Sequence, residues 1–283
     1  MARSTPPGPR STVGAVKAPL VLLYHAVAPL NGGDLRQRTL FVQPDTFAAQ
    51  MEYLARKGYR SLTLAEYAAA LEGRIPSQRR FLLTFDDAYT RVDEFVSPVL
   101  SRLRYSAVMF APSAHLGGRN IWDSAHPALS RLEIMTGKQL EALESGPWEV
   151  ASHGGRHLDL RTLPSAARRR ELRAARDSLS ALLGHEVWAL AYPYGYQDAG
   201  VRADAEHAGF RLAFKATVRG PLEPLRVPRR PIKSWDGPAL FRLRTAATAT
   251  LLFQLEDAAR VPLRLGRVAR KRAQAAFVTK RPR

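Results

Sequence analysis

At 283 residues the chain has room for one large domain with appendages, and an apolar share of 46% is enough to fill its core. With no cysteine, disulfide frameworks and thiolate metal sites are both excluded. The formal net charge of +18 fits either an anionic neighbour or a general bias toward arginine, and no interleaved aromatic and basic module supports specific nucleic-acid binding.

Residues 1–18 read as a disordered leader rich in Pro, Ser, Thr and Gly, without the apolar stretch of a secretory signal. No run is apolar for long enough to span a bilayer, so the expected location is cytoplasmic. Leu20 to Tyr24 reads as the first strand and ends at His25. Asn31-Gly32-Gly33-Asp34 is a loop. Pro44 to Lys57 reads as a helix, with Pro in its first turn, Phe47, Met51 and Leu54 on one face, and Gly58 as terminator. Thr63-x-x-Glu66 has the form of a capping box, opening a helix that ends near Gly73. Phe81 to Phe85 is a short apolar run of strand character that ends in Asp86-Asp87. Arg91 to Leu103 is helical in pattern, with Pro98 expected to break it.

Ser106 to Ala111 is the next strand. Residues 112–135 form a loop long enough to suggest function. Thr136-x-x-Gln139 opens a helix closed by Gly146, and Trp148 to Ser152 is a strand leading into His153-Gly154-Gly155-Arg156-His157. Ser165 begins an Arg-rich helix with Leu172, Leu179, Leu182 and Leu183 on one face and Gly184 as its cap. Val187 to Ala191 reads as a strand before Tyr192-Pro193-Tyr194-Gly195, a sharp turn. A helix over Ala199 to Ala208 and strands over Arg211 to Ala216 and Arg226 to Ile232 follow. The alternation of strand and helix predicts parallel pairing. From Leu240 onward there are eleven basic and two acidic residues, half of the net charge. Phe241, Leu251, Leu252, Phe253 and Leu255 suggest a helix, either packed on the domain or lying against a membrane or partner, before a basic tail.

The residues able to do chemistry follow strands. Neighbouring residues on an extended chain point to opposite sides, so Asp86 and Asp87 can serve different tasks. Alone, the pair reads as an ordinary strand end and turn. His153 and His157 share one face if their segment is helical or tightly turned. Two imidazoles and one carboxylate form a three-ligand set with an open position, as in hydrolytic metal centres.

Together, Thr84-Phe85-Asp86-Asp87, His153-x-x-x-His157 and Pro193-Tyr194-Gly195 resemble the motifs of the polysaccharide deacetylases, the NodB-homology group or carbohydrate esterase family 4. The resemblance runs from about Leu20 to about Asp236, taking in Leu23-Tyr24-His25, Gly117-Gly118-Arg119-Asn120-Ile121-Trp122-Asp123 and Leu225-Arg226-Val227-Pro228-Arg229. It implies an α/β fold, a distorted (β/α) barrel of seven or eight parallel strands over residues 19–238; the shift in composition beyond it, on which the resemblance is silent, marks residues 239–283 as a basic C-terminal helical extension. It implies an N-deacetylase acting on an N-acetylated amino sugar in a glycan. Asp87, His153 and His157 match the metal ligands, zinc being the default ion and Co²⁺, Ni²⁺ or Mn²⁺ alternatives. Asp86 matches the base, and the backbone of Tyr194 matches the oxyanion donor.

The chain departs from the family pattern in three places. Ala191 stands where many members have an arginine that pairs with the base, and Arg229, or else Arg230, is the natural substitute. No histidine follows His207, so the C-terminal general acid is missing; His25 could replace it, as in members with a permuted order, or could serve a structural hydrogen bond. Ala88 replaces the usual glycine, at a cost if the turn needs positive φ. Trp122-Asp123 and Trp235-Asp236 could flank an acetyl pocket or simply pack. His115 and His126, in the long loop, could line a substrate groove but read rather as surface residues, as do His185 in a turn and His207 on a helix. An anionic surface or acidic partner is a further expectation for the basic C-terminus. The competing reading is a non-catalytic barrel that binds glycans or anions.

Overall fold

The computed structural model describes residues 18–30, 32–218 and 220–246. The expected leader up to residue 17, the apolar positions Leu251 to Leu255 and the basic tail lie outside the described residues.

The chain starts with β1 (Leu20–Tyr24) and a small excursion of β2 (Ala26–Val27), α1 (Leu35–Leu40) and β3 (Phe41–Val42), in which β2 and β3 pair. Helix α2 (Pro44–Arg56), β4 (Arg60–Ser61) and α3 (Leu64–Leu71) lead to β5 (Arg80–Asp86). Then α4 (Val92–Leu103), β6 (Ala107–Ala111), α5 (Gly137–Glu144), β7 (Trp148–Ser152), α6 (Ser165–Leu183), β8 (Ala189–Ala191), α7 (Ala199–His207) and β9 (Leu212–Lys215) alternate. Two-residue strands β10 (Val227–Pro228) and β11 (Arg230–Pro231) precede α8 (Pro238–Thr245).

All pairings in the main sheet are parallel, in the order β10-β9-β8-β7-β6-β5-β1-β11, with β4 added beside β5. β10 lies on β9, and β11, two residues later, lies on β1. The eight strands therefore form a nearly closed barrel, as the fold expectation had it.

Alternation along the strands divides the core. Val21, Leu82, Val108, Phe110, Ala151, Ala189, Ala191, Phe214 and Val227 form an interior cluster, which Leu64, Tyr67 and Ala70 of α3 join. Leu22, Leu83, Phe85, Met109 and Val150 belong to the cluster shared with α2, α4 and α5. On β5, Thr84 and Asp86 fall on the interior side, out of phase with Leu83 and Phe85.

Local signals hold well. Both Thr63-x-x-Glu66 and Thr136-x-x-Gln139 are reciprocal capping boxes, and Gly184 caps α6 with φ +75°. Three details differ. Pro98 does not break α4; it is exposed, and Glu94, whose carbonyl it leaves without an intrahelical donor, is exposed too, so solvent can serve that carbonyl. The strand expected from Val187 starts at Ala189, because the Val187 N–H is given to Ser180 Oγ at 2.9 Å. Arg226 to Ile232 is not one strand. Pro228 and Pro231 cannot donate to a ladder, so the stretch makes two short pairings on different neighbours with Arg229 between them.

Beyond the expected boundary at residue 238, α8 packs back on the barrel. Phe241 is fully buried against Tyr53, and Arg244 Nε donates to Asp236 Oδ1 at 2.7 Å, both side chains being buried. No helix among the described residues is long and apolar enough to cross a membrane.

Candidate active site

Three strand ends meet at one rim. β5 carries Asp86 and Asp87, β7 runs into His153 and His157, and β8 leads to Pro193-Tyr194-Gly195. The two aspartates do not part by pleat alternation as expected. Asp87 has φ +75° and Ala88 +51°, so the chain turns left-handed at once and both carboxylates reach the same mouth. His157 and Tyr194 also have positive φ, +52° and +60°. Such backbone costs free energy at a non-glycine residue and collects where geometry serves a site. The expected cost at Ala88 is therefore real. The His153–His157 segment is a tight turn, not helix, with Gly154 at φ +74°.

Asp87 Oδ1 lies 3.4 Å from His153 Nε2 and 3.3 Å from His157 Nε2. The donor atoms of Asp87, His153 and His157 fall within 4.8 Å of one another, and all three residues are buried. Asp87 Oδ1 and His157 Nδ1 make no hydrogen bond, although buried. A buried carboxylate oxygen left so would be costly, and a shared cation offsets that cost. Two neutral imidazole nitrogens and one carboxylate oxygen also suit a divalent transition metal chemically. His153 Nδ1 is 2.8 Å from the Ala191 carbonyl, which fixes Nε2 as the nitrogen that faces Asp87. Ala191 thus acts through its backbone.

Asp86 is held from the opposite side. Arg229 Nη1 donates to Asp86 Oδ1 at 2.7 Å and Nη2 to Oδ2 at 2.6 Å. Arg229 is fully buried and also donates to Thr84 Oγ1 and the Lys215 carbonyl, each at 3.2 Å. Its guanidinium lies near the rings of Phe110 and Phe214. Burial pushes the Asp86 carboxyl up, but the Arg229 and His153 charges outweigh it and hold the group below its ordinary range. Asp86 Oδ2 remains 3.9 Å from His153 Nε2. Arg230, the second candidate, instead donates from Nη1 to the carbonyls of Arg244 and Ala246.

His25 sits at the end of β1, half-buried, within electrostatic reach of Asp87, Asp86, Arg229 and His153. Burial lowers its pKa while the two aspartates oppose that shift. His25 makes no side-chain hydrogen bond among the described residues.

Aromatic side chains line the mouth. Trp122 stacks on His157 at 4.2 Å between centroids and 22° between planes, and Tyr194 meets the same imidazole edge-on at 4.6 Å. Gly195 is required: at φ +69°, a Cβ would lie 2.4 Å from the Ala216 nitrogen.

Several candidates fall elsewhere. Asp236 is taken up by Arg244, and Trp235 lies under Lys233. His126 is 2.5 Å from Asp34, and His185 is 2.8 Å from Glu144. His115 packs near Trp122, with a buried Nε2 that has no partner. What sequence reasoning missed is a buried cluster of Tyr89, Asn120 and Asp123 beside Asp87. The quoted Asn120-Ile121-Trp122-Asp123 stretch was its only signal.

Comparison with known proteins agrees with this architecture. Residues 73–213 match the family model described as polysaccharide deacetylase. YxkH of Bacillus subtilis (strain 168), whose name assigns it to the same group, is 25% identical over 193 residues, covering 68% of this chain. The chain spans 62% of that relative's length. Among solved structures, the Streptococcus pyogenes deacetylase PplD in complex with acetate aligns at TM-score 0.67 and 20% identity, over 81% of this chain and 98% of that one. IcaB from Ammonifex degensii aligns at TM-score 0.67 and 24% identity, over 81% and 97%. At these identities the structural likeness concerns the fold.

Proposed function

Since the chain belongs to the polysaccharide deacetylase family, we propose that it is a metal-dependent N-deacetylase hydrolysing the acetamide of an N-acetylated amino sugar in a glycan or glycoconjugate. The observation that carries this reading is the buried Asp87–His153–His157 cluster beside an Asp86 clamped by Arg229.

In this reading Asp87, His153 and His157 hold the ion, zinc by default. When bound, the cation would polarise the amide carbonyl and ease deprotonation of a nearby water. Asp86 takes the proton of the attacking water, and Arg229 keeps Asp86 ionised and oriented for it. The backbone N–H of Tyr194 serves the developing oxyanion. His25 protonates the departing amine, a poor leaving group until it gains a proton. Trp122 and Tyr194 offer flat faces to the sugar.

The competing reading, a non-catalytic glycan- or anion-binding barrel, drew on the missing arginine and the missing C-terminal acid. Arg229 clamps Asp86 and His25 lies within electrostatic reach of both aspartates, which supports the enzyme reading, and a pure binder has no need of a second, arginine-clamped carboxylate. The test is acetate release from a small chito-oligomer by zinc-loaded protein. Asp86→Asn and His153→Ala are expected to abolish it while the fold survives in circular dichroism. Wild-type activity in either variant would overturn the assigned roles.

A further inference from the structure

Beyond the two rings that touch His157, the rim carries a third. Tyr194 meets His157 edge-on at 4.6 Å, and Tyr196 lies 5.7 Å from Tyr194 with its plane tilted by 31°. The Arg161 guanidinium sits over the Tyr196 ring, 4.1 Å from its centroid. Trp122, His157, Tyr194, Tyr196 and Arg161 thus form an unbroken row of flat groups. Burial falls along it, from buried His157 through two half-buried tyrosines to exposed Arg161, so the row runs outward from the Asp87–His153–His157 cluster and has a face open to solvent.

The outer end is held in place. Arg161 belongs to a short turn, Leu160–Thr162, whose Leu160 is buried. The Leu160 and Leu163 carbonyls accept from Nη1 of buried Arg168 at 3.2 and 3.4 Å. Arg161 Nε and Nη2 donate to Asp159 Oδ1 and Oδ2 at 2.9 and 2.7 Å, which fixes the guanidinium plane. The Tyr196 N–H donates to the Pro193 carbonyl at 3.2 Å, closing the turn that also sets Tyr194.

Charge pairing decides what such a row can bind. Despite the net charge of +18, arginines of this rim are matched by carboxylates: Arg161 by Asp159, Arg156 by Glu171 and Arg36 by Asp123. A paired guanidinium keeps N–H groups to donate yet adds no net charge, which suits a neutral, hydroxyl-rich ring better than a phosphate or carboxylate. A pyranose has an apolar C–H face for an aromatic ring and hydroxyl oxygens for a guanidinium. Building on the deacetylase reading of the neighbouring cluster, we propose that Tyr196 and Arg161 form a second sugar position. The unit next to the reacting one packs on Tyr196 and accepts hydrogen bonds from Arg161. The substrate is then a neutral N-acetylated chain of at least two sugars, not a free amino sugar.

The test compares kcat/KM for acetate release from N-acetylglucosamine and from fully N-acetylated chitotetraose, using the zinc-loaded full chain. The wild type is expected to prefer the tetramer. Tyr196→Ala and Arg161→Ala should each cut that preference about 2–10-fold, the worth of one ring contact or one hydrogen bond, through KM and not kcat. Tyr196→Phe, which keeps the ring, should restore the preference, whereas a purely structural tyrosine would not make activity depend on chain length. Should Tyr196→Ala fail to fold, Arg161→Ala decides, since that side chain is exposed. A wild type without the preference, or alanine variants that both retain it, would overturn the second sugar position and leave the deacetylase reading standing. Calorimetric titration with the same tetramer separates the converse. Binding that weakens in Tyr196→Ala, with no acetate released by the wild type, would sustain the sugar position and sink the deacetylase reading; neither binding nor release would sink both.

Discussion

Arg229 is the position at which burial and chemistry are most tightly joined, and Arg229→Met is the perturbation that separates them. Methionine fills most of the volume between Phe110 and Phe214 but leaves the Asp86 carboxylate buried without its partner. Two charge-assisted hydrogen bonds are lost, at about 1.5–3 kcal/mol each. Breaking one side of a buried ion pair costs about 3–5 kcal/mol, in line with that sum. For a domain of this size the melting temperature should fall by about 6–20 °C. The sign of the pH effect follows from the causes acting on Asp86. Burial is the largest and raises its pKa, and Arg229 heads the opposing charges that hold it down. In the wild type the carboxylate therefore stabilises the fold above the ordinary aspartate range, and that contribution is lost as the pH falls through the depressed folded value. Without Arg229 the pKa rises, so the acid limb of acetate release should move to higher pH, and activity lost at neutrality should return in part on the alkaline side. Because replacing both members of a buried pair by apolar residues is often nearly neutral, Asp86→Leu with Arg229→Met should melt closer to wild type than Arg229→Met alone. An unmoved acid limb, or a double variant that loses at least as much stability as the two single changes summed, would refute this account.

Two further changes probe the rim. His25→Ala should lower the rate constant for acetate release at saturating substrate and zinc while leaving Zn²⁺ affinity within a few-fold of wild type; unchanged turnover would remove His25 from the reaction. Gly195→Ala places a Cβ 2.4 Å from the Ala216 nitrogen at φ +69°. The left-handed conformation alone costs an alanine about 1–2 kcal/mol, so melting should fall by at least about 2 °C, and by more with the clash. An unchanged melting point would show that this turn relaxes freely.

The barrel and the Asp87–His153–His157 cluster could be read from the sequence because both rest on short-range patterns. Apolar runs that end in Asp86-Asp87, His153 and Tyr192-Pro193 declare both a buried parallel strand and a polar group at its exit. Capping boxes at Thr63 and Thr136 fix helix starts through residues only three apart. What escaped depends on the path between those signals. The left-handed turn at Asp87 has no marker in the chain's own residues, because Ala88 stands where a glycine would announce it, and only the family resemblance raised it. Ala191 looked like a loss because a sequence displays side chains, whereas its contribution is a carbonyl aimed at His153 Nδ1. The Tyr89–Asn120–Asp123 cluster joins residues about 30 positions apart by hydrogen bonds whose direction only geometry can fix.

Arg229 sits between these cases, and it explains why the broken strand matters. Pro228 and Pro231 prevent the stretch from running as a single ladder on one neighbour, so it pairs first with β9 and then with β1. The residue between the two pairings is released from both ladders at the one place where the sheet's edges meet. From there its side chain reaches the barrel interior and finds Asp86 on β5, beside β1. A guanidinium delivered by the closing strand can do what an arginine beside Pro193 would otherwise do, since the carboxylate responds to a charge and two donors and not to the strand that brings them. The same closure that completes the barrel therefore sets the ionisation of Asp86, and a substitution that loosens the β10–β11 junction should reach the chemistry without touching Asp87, His153 or His157.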